Sequence, residues 1–488
     1  MSRNRLILIT IGIMLSVFLA SMEGTVVATA MPTIVSQLGG LSIYSWVFSI
    51  YLLASTTTVP IYGKLSDIYG RKPVHAASML LFLAGSLLCG QARTMEQLVV
   101  FRAVQGLGAG GILPLAFTII GEIFSFEQRA RLQGVISGVW GVSSVIGPLI
   151  GGFLVDQVSW QWVFYINVIP ILLAGGVVWF AWQDLTPRRY PRPAVDYPGA
   201  ILLSLGVLSF LLGLEALNQP LGWGLIAAAL ALFAALLFVE RRAADPILPL
   251  PLFRDRLFSV TILHGILAGW AMFGSISFVP LFVQAVLGTN ATQAGIALTP
   301  MSLSWTITSI VCGRLLLSVG YRTLALIGMV LLSAGTLLMS GINTGSTLLQ
   351  VMLYMAMMGA GMGFSIPALL IAVQSSVRRE TLGAATSTVQ FSRSMGGTIG
   401  VSALGAFLSA QLATRLATAG LDPASVSTST LLDRIAGAQA AINGPLRDAL
   451  AGSIASLFVI AFAAACAGLL AVLFAPRGKI VPIAQEQT

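Results

Sequence analysis

Charge is scarce in this chain. Asp, Glu, Lys and Arg make up 9% of its 488 residues, where an ordinary soluble domain carries about 25%. A fully solvated globular surface is therefore excluded. Cysteine is rarer still, with three residues. Cys89, Cys312 and Cys466 each fall inside an apolar run, which argues against a disulfide framework and against a metal site. No Gly-x-x-x-x-Gly-Lys-Ser/Thr loop occurs, so nothing here should bind and split ATP. Gly106-x-Gly108-x-Gly110 follows no strand and is not a dinucleotide fingerprint; no cofactor is called for. Acids do not cluster within the apolar runs, so multivalent cations are not the expected cargo.

What the chain does have is apolar length. Hydrophobic residues reach 57%, in runs of about 20 that recur from end to end. Fourteen runs can be placed, from 6–30 at the start to 453–475 at the end. The pattern reads as an all-α polytopic membrane protein with the lipid bilayer as its main partner. The first run has a basic start and an Ala28-x-Ala30 that mimics a cleavage site. It is too long for a signal core and contains Glu23, so it is read as a retained helix.

The net charge of +9 does not imply nucleic acid, because the bases sit in short loops. With the N-terminus inside, twenty bases fall on the inner face and four, Arg93, Arg415, Arg434 and Arg447, on the outer. Positive loops stay cytoplasmic, so both termini are expected there, on a cell membrane.

Direct comparison exposes a repeat. Gly106-x-Gly108-x-Gly110-x-x-x-Pro114 in helix 4 returns as Gly359-x-Gly361-x-Gly363-x-x-x-Pro367 in helix 12. Gly134, Gly147 and Gly151 in helix 5 return as Gly383, Gly396 and Gly400 in helix 13. Gly63-Lys64-Leu65…Gly70-Arg71 returns loosely as Gly313-Arg314-Leu315…Gly320-Tyr321-Arg322. All three offsets lie near a common value of about 250 residues, which makes chance a poor explanation. The expected division is a six-helix bundle over 1–182, a linker with helices 7 and 8 over 183–257, and a second six-helix bundle over 258–488. Residues 411–452 form a long outer loop, where Leu431, Leu432 and Ile435 hint at a short amphipathic helix within an otherwise variable connection.

The island Gly63-Lys64-Leu65-Ser66-Asp67-Ile68-Tyr69-Gly70-Arg71-Lys72 interrupts the apolar runs with three bases, an acid and two glycines. Its charges mark a membrane surface and its glycines permit a tight turn. Its spacing resembles the signature loop between helices 2 and 3 of the major facilitator superfamily. Further stretches resemble one branch, the fourteen-helix drug:proton antiporters. Leu19-Ala-Ser-Met-Glu23-Gly-Thr25 through Pro32 is similar to that branch's helix 1 motif, with Glu where Asp is usual. Leu98-x-x-x-Arg102-x-x-Gln105-Gly106 resembles the helix 4 motif. Gly134, Gly147-Pro148 and Gly151-Gly152 resemble the antiporter motif of helix 5, with Ser143 in place of a glycine often found there. Trp160-x-Trp162-x-Phe164-x-Ile166-Asn167, Asp196-x-x-Gly199, Gln284-x-x-Leu287-Gly288 and Pro300 also fit. The resemblance implies the major facilitator fold, in which two parallel repeats hold substrate near the midplane. The helix 5 motif implies antiport rather than symport.

Glu23 lies roughly 10 Å inside the outer end of helix 1, where a carboxylate is costly, and is the acid expected to couple protons. Arg102 lies roughly 7 Å inside the same face on helix 4. It reads either as a partner of Glu23 or as a tether to backbone carbonyls. Gly63, Asp67, Gly70, Arg71 and Glu122 are expected to form an inner gate. Arg393, near the middle of helix 13, has no intramembrane acid in its half; carbonyl binding and a cavity-facing role both stay open. Tyr51, Gln284, Trp305 and Gln390 are cavity candidates. Glu215 reads as an acid snorkelling at the outer end of helix 7. His75 and His264 carry no assigned role.

The expected function is proton-coupled export of lipophilic drugs or toxic amphiphiles by alternating access, by a monomer that is not an enzyme. The alternatives are export of a specific metabolite, lipid or siderophore on the same fold, and a non-transporting receptor or scaffold.

Overall fold

The computed structural model describes residues 3–39, 43, 46–182, 196–216, 219–243, 246–248, 250–289, 291–418 and 444–477. No strand occurs among them. The helices are α1 (Arg3–Leu38), α2 (Trp46–Tyr69), α3 (Arg71–Gly90), α4 (Met95–Ile123), α5 (Phe126–Gln157), the short α6 (Trp162–Tyr165), α7 (Val168–Ala181), α8 (Tyr197–Glu215) and α9 (Pro220–Glu240). They continue as α10 (Arg256–Leu281), α11 (Ala291–Val319), α12 (Tyr321–Met339), α13 (Leu348–Ser376), α14 (Leu382–Thr418) and α15 (Pro445–Leu473). A single π turn, Phe282–Val286, prolongs α10.

Helix starts follow local chemistry. Asp196 caps α8 by accepting from Gly199 N at 2.8 Å, and Asp255 caps α10 by accepting from Phe258 N at 3.0 Å. Thr94 caps α4 and Thr347 caps α13, each accepting from a Gln three residues on. That pair extends the repeat to the caps.

Twelve of the described runs are long and apolar enough to cross a membrane, with α6 and α7 counting as one. The other two of the fourteen expected spans correspond to α2 and α5. Their 24 and 32 residues suffice in length; Ser55-Thr56-Thr57-Thr58 dilutes the hydropathy of α2, and several α5 side chains lie outside the described residues. Helix 6 of the sequence reading is broken at Ile166–Asn167 into α6 and α7. Helices α1 and α14 overrun their expected ends, 30 and 410, to Leu38 and Thr418. The hint of a helix at Leu431, Leu432 and Ile435, and most of the 183–197 linker, lie outside the described residues.

Packing reproduces the repeat in three dimensions. In the first bundle Gly106 and Gly110 of α4 abut Tyr51, Ser55 and Thr58 of α2, while Gly108 abuts Phe82 of α3. In the second, Gly359 and Gly363 of α13 abut Met301, Ser304, Trp305 and Thr308 of α11, while Gly361 abuts Gly328 of α12. Alternate glycines thus admit two neighbours to backbone contact, the only way helices approach so closely. Gly70 and Gly320 open α3 and α12 at φ 94° and 88°, a backbone region that favours glycine.

Helices α1–α7 and α10–α15 form two bundles that meet where α2 packs on α14 and α5 on α11. The α8–α9 hairpin lies over that seam. Leu203, Val207 and Leu211 of α8 pack with Leu53 of α2 and Met395 of α14.

Candidate functional site

The first bundle buries a charge network near the loop joining α3 and α4. Glu23 and Arg102 are each 1% exposed, and Arg102 Nη1 donates to Glu23 Oε1 at 2.6 Å. Gln105, one turn along α4 from Arg102, donates from Nε2 to the same oxygen at 2.9 Å and to Ser86 Oγ at 2.7 Å. Asn167 donates to Glu23 Oε2 at 2.9 Å. Asn167 stands at the break between α6 and α7. Arg102 also donates to Gln105 Oε1 at 2.6 Å and to the Val47 carbonyl at 3.1 Å, and its guanidinium lies 4.1 Å from the Tyr51 ring centre. Both readings of Arg102 are therefore realised: it pairs with the acid and holds a carbonyl.

Taking two charges out of water is repaid only when extra hydrogen bonds satisfy their remaining sites. Here three donors converge on one carboxylate. Asn167 Oδ1 is left buried without a partner among the described residues. Sequence reasoning named Gln105 and Asn167 only as motif members and missed Ser86. The i, i+3 spacing of Arg102 and Gln105 was an available signal; nothing marked Ser86 among the other serines.

A second charge cluster sits where α2 turns into α3. Arg71 Nη2 lies 2.6 Å from Asp67 Oδ1, and Arg71 Nε lies 3.0 Å from Glu122 Oε2. Arg71 also donates to the Ser66 carbonyl at 2.9 Å and, across the seam, to the Arg379 carbonyl at 2.8 Å. Asp67 accepts from Gly383 N at 3.0 Å and Ala384 N at 2.7 Å, the first turn of α14. An anion at that place also meets the positive end of the helix dipole. Gly63 faces Gly383 so closely that a side chain on either would strike the other helix's backbone. Gly70 supplies the left-handed turn that lets Arg71 double back.

The helix 5 motif divides its work. Gly134 admits Ile310 of α11 across the seam, and Gly147 admits Thr25 of α1. Gly151 is buried, whereas Gly152 has no neighbour near where a side chain would sit. Ser143 is fully buried; its hydroxyl donates to Val139 O at 2.8 Å and reaches Phe18 O of α1 at 3.4 Å. The Pro148 and Glu215 side chains lie outside the described residues.

The cavity candidates part company. Tyr51 joins the Glu23 network through Arg102. Gln284 lies in the π turn, Trp305 on α11, and Gln390 and Arg393 one turn apart on α14. No hydrogen bond or ion pair among the described residues joins these four. Arg393 holds no backbone carbonyl there either.

A multi-pass helical membrane protein of two repeat-related bundles, with charges buried in one and locked across the seam, is built as a transporter. The chain belongs to the Major Facilitator Superfamily, whose family model matches residues 13–401. It is 41% identical over 415 residues to the multidrug transporter protein MdtP of Bacillus subtilis, covering 84% of this chain and 76% of that one. It is 38% identical over 404 residues to multidrug resistance protein 3 of the same organism, covering 81% and 78%. Among solved structures, the proton:xylose symporter XylE superposes with a TM-score of 0.63 at 14% identity, covering 98% of this chain and 97% of that one. That likeness shows the fold alone.

Proposed function

We propose that this transporter is a proton-coupled antiporter that exports lipophilic drugs or toxic amphiphiles across the cell membrane, with both termini cytoplasmic. The Glu23–Arg102 pair carries the reading: a titratable group buried at membrane depth, held by three side chains from two other elements. The multidrug names of the two bacterial relatives favour drugs over a single metabolite.

In this reading 1–182 and 258–488 are the two moving bodies, and 183–257 carries a helix pair between them, fourteen spans in all. The α2–α14 contacts stand on the base-rich face, so in this reading the described state is closed inside. The Glu23 carboxylate accepts here from Arg102, Gln105 and Asn167. An incoming proton cancels that charge and releases the donors, which loosens α1 from α4 and from the α6–α7 break. Asp67 must then leave the end of α14 before the inner face opens. Substrate entering from inside favours the deprotonated form and drives the proton out of Glu23. A ligand shifts such an equilibrium only by its differential affinity for the two states.

The test uses everted membrane vesicles and a chemically diverse compound panel followed by fluorescence quenching. Uphill, gradient-dependent movement of several unrelated lipophiles is expected. Movement of one compound class alone would favour a dedicated metabolite exporter.

A further inference from the structure

Two arginines named above, Arg71 and Arg102, each meet a carboxylate. Arg393 does not. It stands eleven residues into α14, about 17 Å along the helix from its first residue, and is half-buried. Among the described residues it makes no hydrogen bond or ion pair. The acids described in the second bundle, Asp255, Glu380 and Asp448, all stand at helix ends.

The neighbouring helix deepens the imbalance. At Gly265 and Gly269, α10 presses on the Arg393 turn, close to Arg393 N and the Arg393 carbonyl respectively. His264, beside that contact, is 2% exposed, lies within the electrostatic reach of Arg393, and has a buried Nε2 without a partner. Trp270, on the same helix and packed on Gly400 of α14, has a buried indole N–H without a partner. A cation, an indole donor and an unbonded imidazole nitrogen, donor or acceptor according to its tautomer, thus lie along one helix contact with no carboxylate among them. Buried polar groups in native proteins are almost always satisfied, and the exceptions point to a missing partner. The partner this set lacks is an anion. Lipid headgroups are excluded as its source, because the site lies at membrane depth.

We infer that Arg393, with His264 and Trp270 of α10, receives the anionic group of a substrate, so that amphiphiles carrying a carboxylate or sulfonate are among the cargo. This rests on the export reading, whose proton site in the first bundle is separate. A guanidinium suits the role because it stays charged and offers a planar fork of donors to a carboxylate.

The test compares deoxycholate, below its micellar concentration, with its uncharged methyl ester. Binding to the whole protein in nanodiscs is read by intrinsic fluorescence against empty nanodiscs. The acid should bind at least tenfold tighter than the ester. Arg393→Gln should bring that ratio to within about twofold of unity, and Arg393→Lys should leave it in between. A wild-type ratio near one, or one unchanged in Arg393→Gln, overturns the inference. If either variant fails to fold, the wild-type ratio and the other variant decide. A small inorganic anion is separated by exchanging chloride for gluconate. A chloride-dependent melting temperature, lost in Arg393→Gln and unaccompanied by any preference for the acid, would also overturn it. Export of the cation ethidium in everted vesicles separates the two readings. Ethidium export with a flat acid-to-ester ratio sinks the anion site alone; failure of every compound to move sinks export and the anion site together.

Discussion

Removing the Asp67 carboxylate attacks the seam between the bundles at its best-defined point. In the described state that side chain accepts from Gly383 N at 3.0 Å and Ala384 N at 2.7 Å, and lies 2.6 Å from Arg71. Hydrogen bonds to a charged group are worth about 1.5–3 kcal/mol each. Water at the membrane surface recovers part of this when the latch opens, leaving a net effect on the order of 2–4 kcal/mol. Asp67→Ala should therefore lower the ratio of inner-closed to inner-open forms by about 30- to 1,000-fold, at tenfold per 1.4 kcal/mol. Spin labels at Tyr69→Cys and Arg378→Cys, on α2 and just before α14, report the separation by double electron–electron resonance. The native Cys89 and Cys312 are buried and do not compete for label, and Cys466 is replaced by Ser. The parent should show one short distance, and Asp67→Ala a second, longer population with slowed turnover. Substrate affinity in detergent should stay within a few fold, since the latch sets the balance of states rather than the site. An unchanged distance distribution with normal turnover would reduce the loop to a helix connector and refute the latch.

Three further outcomes are expected. Gly108→Ala and Gly361→Ala each drive a methyl into the backbone of a neighbouring helix and should lower thermal stability by about 1–3 kcal/mol, whereas Gly176→Ala, with open space beside it, should not; melting in detergent distinguishes them. Asn167→Leu removes the donor to Glu23 Oε2, a hydrogen bond to a charged group, and should slow turnover by about ten- to a hundredfold while binding persists, as read in proteoliposomes. Cysteines at Ser2 and Gln487 should resist an impermeant maleimide in intact cells while one at Ser427 is labelled; labelling at Ser2 would reverse the proposed orientation.

Much of this architecture was legible because it is written in small residues and in charge. The glycine rows of helices 4 and 12 act through an absence of side chain, which a sequence displays directly, and the structure gives Gly108 and Gly361 equivalent neighbours. Glu23 and Arg102 matched in depth because a helix rises evenly, so counting residues from the ends sufficed. What stayed hidden depends on tertiary geometry. Asn167 reaches Glu23 from the point where the sixth span breaks, at Ile166–Asn167; Pro170, which has no N–H to give the Ile166 carbonyl, was the signal for that break and went unread. Asp67 was expected to share an inner gate with Arg71 and Glu122, but its bonds to α14 go to backbone N–H groups, which carry no residue-specific signal. The span that falls short on hydropathy, α2, packs across the seam, where lipid contact is not the only demand on composition.

The central claim, that Glu23 exchanges protons for substrate, is tested most directly by proton release from the purified protein. Substrate is added to weakly buffered detergent solution and released protons are read with a pH-sensitive dye, alongside uphill export in proteoliposomes. The parent should release protons on binding. Glu23→Gln, which keeps the size of the side chain and removes its titration, should release none and export nothing uphill, while downhill exchange between substrate pools continues. Glu23→Asp should keep partial activity. Uphill, proton-dependent export by Glu23→Gln would contradict the account and move the proton to another group.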